Sequence, residues 1–168
     1  KWLGRIPGGL AVATVVASTV LAAMVGVIGA AVVTMALVAL PSMLRRGYSP
    51  VLAVGTVMAG GTLGILIPPS VLAIVYGLVA NQSVGELYLG SVFPGLVLSG
   101  LYILFSVGYA LLNPKAAPRL SPEETPTWSE RWRALRSIWS PLVLIFLVLG
   151  TIFLGLAAPT EAAAIGAF

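Results

Sequence analysis

The sequence predicts an all-α integral membrane protein with a re-entrant helical hairpin, a broken transmembrane helix and two further transmembrane helices, on three observations. Hydrophobic residues make up 59% of the chain and charged residues 8%, with a mean hydropathy of +1.06, a composition that suits a bilayer and not water. Charge is segregated: residues 6–44, 47–85, 87–114 and 137–160 contain no Lys, Arg, Asp or Glu, and each stretch exceeds the ~20 apolar residues that cross a hydrocarbon core. The first two stretches also carry glycine and proline strings that an uninterrupted crossing helix does not tolerate.

Residues 6–44, at ~1.5 Å per residue, would overshoot a ~30 Å core as a single helix. The chain must turn, and Gly26-Val27-Ile28-Gly29 is where glycines permit it. The arms, Gly9 to Val25 and Ala30 to Leu44, are each short for a full crossing, so residues 6–46 read as a re-entrant hairpin. Arg5 stands at one base and Arg45 with Arg46 at the other, which puts both ends on one, positive, side. Residues 51–80 read as a broken crossing. In Gly60-Gly61-Thr62-Leu63-Gly64-Ile65-Leu66-Ile67-Pro68-Pro69-Ser70, two prolines lack N–H donors and three glycines remove side-chain support. Half-helices are expected near Val51 to Ala59 and Val71 to Ala80.

Ser83 followed by Glu86 has a capping pattern and predicts a short outer interfacial helix over 83–93. Pro94 opens a transmembrane helix over 94–113 that ends at Asn113-Pro114. Residues 114–140 read as a cytoplasmic loop with an amphipathic helix: Trp128, Trp132, Leu135 and Trp139 recur at helical spacing, and Arg131, Arg133 and Arg136 take other faces, the pattern of an interfacial anchor. Pro141 begins a transmembrane helix over 141–157. Pro159-Thr160 opens another helix, 159–168, with Glu161 in its first turn.

This topology places all 9 Lys and Arg residues on one side and leaves Glu86 and Glu161 on the other, so the basic side is cytoplasmic. Membrane orientation thereby accounts for the +4 net charge, and no nucleic-acid partner is implied. The chain has no Cys, His or Asp, which removes thiolate chemistry, the usual metal ligands and the groups of an intramembrane catalytic site; no enzyme and no cofactor are expected. Opening on Lys1-Trp2 and stopping at Phe168 inside an apolar run, it reads as an internal fragment of a multi-pass protein.

The string Gly61-Thr62-Leu63-Gly64-Ile65-Leu66-Ile67-Pro68-Pro69-Ser70 resembles the large membrane subunit of the tripartite ATP-independent periplasmic (TRAP) transporters. Leu40-Pro41-Ser42-Met43-Leu44-Arg45-Arg46-Gly47-Tyr48, Ser83-Val84-Gly85-Glu86-Leu87 through Phe93-Pro94-Gly95-Leu96, and Pro159-Thr160-Glu161-Ala162-Ala163-Ala164 resemble that family in order and spacing. The resemblance implies a sodium-driven importer of small organic anions, C4-dicarboxylates or other carboxylic acids, in the bacterial inner membrane. Its partners would be a small membrane subunit and a periplasmic solute-binding protein. It also implies an elevator-type machine of two inverted repeats, of which this chain holds the first hairpin and broken helix. One departure is the tip: many members carry small hydroxyl residues there, and this chain carries glycines. The alternative is another hairpin-containing anion transporter with no binding-protein partner.

On that reading, carbonyls freed from a helical ladder suit sodium, and Gly26, Gly29, Gly60, Gly61, Thr62 and Gly64 are the expected cation-binding residues. Close helix packing is the competing role for the glycines. Pro68, Pro69 and Ser70 are the expected substrate-binding residues, because the following half-helix begins there and its N–H groups attract a carboxylate. Capping by Ser70 is the structural alternative, and Glu161 reads as a helix-opening residue rather than a coupling carboxylate.

Overall fold

The computed structural model describes residues 8–118, 128–158 and 161–162, and the regular elements among them are helices. They are α1 (Gly9–Val25), α2 (Ile28–Arg45), α3 (Pro50–Leu66), α4 (Val71–Ala80), α5 (Val84–Leu112) and α6 (Trp128–Phe153). The fold is that of an all-α membrane protein. Ile28–Arg45, Pro50–Ala80 and Val84–Leu112 are long and apolar enough to cross a bilayer, and Gly9–Val25 and Pro141–Phe153 are shorter apolar helices. Large side chains such as Leu37, Val51, Val79 and Leu112 lie open on the outer faces, at 74, 79, 79 and 83% exposure, which only lipid or further protein can cover favourably.

α1 and α2 form an antiparallel hairpin, and α3 packs along both arms. Close approach depends on small residues: a Cβ on Gly60 would collide with Ser18 of α1, and one on Gly61 with Val32 of α2. Ala11, Met43, Leu52, Ala53, Ala110 and Ala117 close the open end of the hairpin. There the Tyr48 hydroxyl accepts the Leu10 N–H at 3.2 Å. Burial pushes that hydroxyl above the usual phenol range, against the pull of the Leu10 N–H and the Arg46 charge, so it stays protonated at neutral pH. Ser49 caps α3, its side chain accepting the Leu52 N–H at 3.2 Å, and the Ser49 N–H reaches the Ala116 carbonyl at 2.9 Å. This contact puts Lys115 at the same end of the helices as Arg45 and Arg46, a basic end.

α5 runs back from the far end, and α6 runs antiparallel to it: Ile152 packs on Tyr88, and Ile145 joins Leu98 and Tyr102. Arg136 therefore lies toward the basic end, and Glu86 and Glu161 lie at the far one. Ser83 caps α5, accepting the Glu86 N–H at 3.4 Å. The Glu161 carboxylate accepts the Ala158 N–H at 2.9 Å, a helix-opening contact.

Four boundaries differ from the sequence expectation. The turn is only Gly26-Val27, since Gly29 lies in the first turn of α2. α3 continues through Gly60, Gly61, Thr62 and Gly64 to Leu66, so the unwound backbone is Ile67 to Ser70 and not the whole string from Gly60. The expected elements 83–93 and 94–113 are one helix through Pro94, and α6 likewise runs through Pro141. An isolated proline removes one ladder bond, a loss transmembrane helices accommodate. Adjacent Pro68 and Pro69 remove two successive bonds and bar the preceding residues from helical angles, and only there does the helix break. On α6, Trp132, Arg136 and Trp139 are all exposed; the other side chains of the expected amphipathic stripe, and residues 159–160 and 163–168, lie outside the described residues.

Candidate functional site at the hairpin tip and helix break

The hairpin tip and the helix break meet. α1 stops because Gly26 takes left-handed angles, φ 64° and ψ 9°, a region where a side chain is unfavourable. A Cβ there would drive into the Pro69 carbonyl oxygen. The Gly26 carbonyl accepts the Val71 N–H at 3.2 Å, tying the tip to the first residue of α4. Gly64 faces the same tip, with a Cβ position 3.5 Å from the Val27 carbonyl carbon. α5 walls the junction, since a Cβ on Gly95 would lie 2.9 Å from the Ile67 side chain.

The double proline sets the polarity of the junction. In an α-helix the carbonyl of residue i accepts the N–H of residue i+4. Pro68 and Pro69 have none to offer to Gly64 and Ile65, whereas the Leu63 carbonyl still accepts the Ile67 N–H at 2.8 Å. The carbonyls of Gly64, Ile65 and Leu66 thus end α3 without helical donors, at the negative end of its dipole. Across the break, Leu72 and Ala73 begin α4 with N–H groups that have no helical acceptor, at the positive end of its dipole. The Ser70 hydroxyl is fully buried and has no hydrogen-bond partner. An unpaired buried hydroxyl costs roughly 1–3 kcal/mol, so it marks a place where a polar guest would be favourable. Among the described residues no three His, Cys, Asp or Glu side chains converge as a metal site; cation ligands at the break would be backbone oxygens.

Of the residues expected from sequence, the structure brings together Gly26, Gly64, Pro68, Pro69 and Ser70. Gly60 and Gly61 lie inside α3 at its contacts with α1 and α2. Thr62 is exposed; its hydroxyl donates to the Ala59 carbonyl at 2.7 Å and pairs with the Tyr102 hydroxyl at 3.2 Å. Its side chain is thus engaged on the α5 side of α3 and not at the tip. Gly29 is exposed, with nothing near its Cβ position. Sequence reasoning missed the Ile65 carbonyl, which the i+4 rule applied to Pro69 identifies, and the Leu66 carbonyl, which loses its helical donor because Ser70 takes extended angles outside the helix. It also missed Tyr88, which is buried on α5 and donates to the Ser70 carbonyl at 3.3 Å.

A membrane helix broken into opposed helix ends, with a hairpin tip lodged against the break, is an arrangement of the kind that secondary transporters build from discontinuous helices. The chain belongs to the tripartite ATP-independent periplasmic transporter family, DctM component, whose profile matches residues 1–168. It is 39% identical over 165 residues to the C4-dicarboxylate TRAP transporter large permease protein of Vibrio cholerae, covering 98% of this chain and 35% of that protein. It is 40% identical to the C4-dicarboxylate counterpart of Pseudomonas aeruginosa (98% and 38% covered). Identity to the ectoine TRAP transporter large permease protein of Halomonas elongata is 34% (97% and 37%). The chain thus spans somewhat over a third of the length of these relatives, all of them transporter subunits rather than enzymes.

Proposed function

We propose that this chain forms part of the large membrane subunit of a secondary active importer of small organic anions, driven by sodium and supplied by a periplasmic binding protein. It would work in the bacterial inner membrane beside a small membrane subunit, with the basic end in the cytoplasm. The hairpin would enter from that side and turn back within the bilayer, as one half of an inverted-repeat elevator. The observation that carries the reading is the double-proline break against the Gly26 tip, which leaves carbonyls at one helix end and N–H groups at the other. Unsatisfied backbone groups at membrane depth cost several kcal/mol each, and a cation with an anion compensates both ends. C4-dicarboxylates and ectoine in the names of relatives, with isethionate in that of another, share an acid group of the kind a helix N-terminus receives.

A sodium jump across proteoliposomes holding the full-length protein and its small subunit tests this. Uptake should require both the inward sodium gradient and the binding protein. Uptake without the binding protein would favour an anion transporter of another hairpin type, and uptake that follows only a proton gradient would contradict sodium coupling. In the same assay Ser70→Ala should raise the substrate concentration for half-maximal uptake by about 2–10-fold, the effect of losing one hydrogen bond. The variant should be no less stable without substrate, because the hydroxyl it removes is unpaired. An unchanged half-maximal concentration would assign Ser70 to architecture alone.

A further inference from the structure

Tyr88 is the largest of the fully buried side chains among the described residues. It forms a buried cluster with Ile152 and Ala162, against which Ala73 and Ile74 of α4 pack, and its hydroxyl donates to the Ser70 carbonyl at 3.3 Å. The Ser70 carbonyl and the Val71 N–H belong to one peptide unit, and that N–H donates to the Gly26 carbonyl at 3.2 Å. The unit is therefore held from both sides, by α5 through a phenol and by the hairpin tip through a carbonyl. A peptide is planar, so fixing its oxygen fixes the direction of its N–H, and with it the Gly26 oxygen that the N–H holds.

We propose that Tyr88 is a positioning residue for the break: its hydroxyl orients the Ser70–Val71 peptide, which in turn sets the Gly26 carbonyl for the coupling cation. This rests on the sodium reading above. Tyr88 touches neither ion nor substrate; it acts through the peptide. The ladder bond from the Ile74 N–H to the Ser70 carbonyl is long, at 3.3 Å, so the phenol is an equal partner of that oxygen and not a spare contact. Two other hydroxyls of α5 are committed elsewhere: Ser99 pairs with Thr19 at 2.8 Å, and Ser106 donates to the Tyr102 carbonyl.

The test is thermal unfolding of the purified full-length protein titrated with sodium alone, against potassium as control. Tyr88→Phe keeps the ring and its packing and deletes the hydroxyl. The sodium concentration giving half of the stabilisation should rise about 2–10-fold in Tyr88→Phe, whereas Tyr109→Phe, on the same helix near the basic end, should match the parent. Amide exchange over residues 67–75 should also quicken in Tyr88→Phe. A Tyr88→Phe titration superimposable on the parent's would overturn the proposal even if the variant unfolds earlier in potassium, because that is what a packing role alone would give. A parent that does not respond to sodium would sink the sodium reading and this inference with it.

Discussion

Gly26→Val should reduce sodium-driven uptake to background, with the protein still inserted in the membrane. Left-handed angles cost a residue with a side chain roughly 1–2 kcal/mol, and a β-branched residue is worse placed there than most. The new Cβ would also collide with the Pro69 carbonyl oxygen, and overpacking of that kind costs roughly 1–3 kcal/mol. The tip can escape only by moving off the break, which gives up the hydrogen bond between the Gly26 carbonyl and the Val71 N–H. Loss of function should therefore be near complete although no charged or catalytic group is touched. Gly108→Ala, at a helical position with nothing near its Cβ, should transport like the parent. Parental uptake by Gly26→Val would show that tip and break need not touch.

Replacing Pro68 and Pro69 together by alanine should also abolish uptake, by repairing the helix. The two alanines bring N–H groups within reach of the Gly64 and Ile65 carbonyls, and each bond formed contributes roughly 0.5–1.5 kcal/mol. α3 and α4 would then tend to merge, closing the gap where opposed helix ends face each other. The thermal midpoint without ligand should hold or rise while sodium stabilisation and uptake disappear. That combination separates a functional break from a structural one, since damage to an architectural element lowers stability as well. Uptake at parental rates with a repaired helix would remove the break from the mechanism.

Much of this arrangement was legible in the sequence because its signals are local. The charge-free stretches read as apolar helices, Gly26 ends α1 inside the Gly26 to Gly29 string that the glycines mark as a turn, and Pro68-Pro69 breaks the second stretch. The run from Gly60 to Leu66 was less legible. Each glycine in a helix costs about 1 kcal/mol against alanine, which argues for unwinding; in an apolar setting an open ladder costs more, and Gly60 and Gly61 let α1 and α2 pack close enough to keep it shut. Pro94 and Pro141 do not mark helix starts for the same reason, as a single missing donor does not end an apolar helix. Thr62 lies close to the break in sequence, but the helical turn from Thr62 to Gly64 points them at different neighbours. Tyr88 carried no local signal at all. Its role arises only because the chain reverses at Asn81-Gln82 and lays α5 beside the residues it has just left.

The coupling ion and the anionic group of the substrate are expected at the junction of the Gly26 tip with the Ile67 to Ser70 break and the helix ends that flank it. Density maps of the full-length transporter, recorded in sodium with substrate and in potassium without it, test that most directly. Density is expected beside the Gly26, Gly64 and Ile65 carbonyls in sodium only, and a second feature against Ser70 and the N–H groups of Leu72 and Ala73 when substrate is present. Sodium and substrate density found elsewhere, with the junction filled by protein alone in both maps, would contradict it.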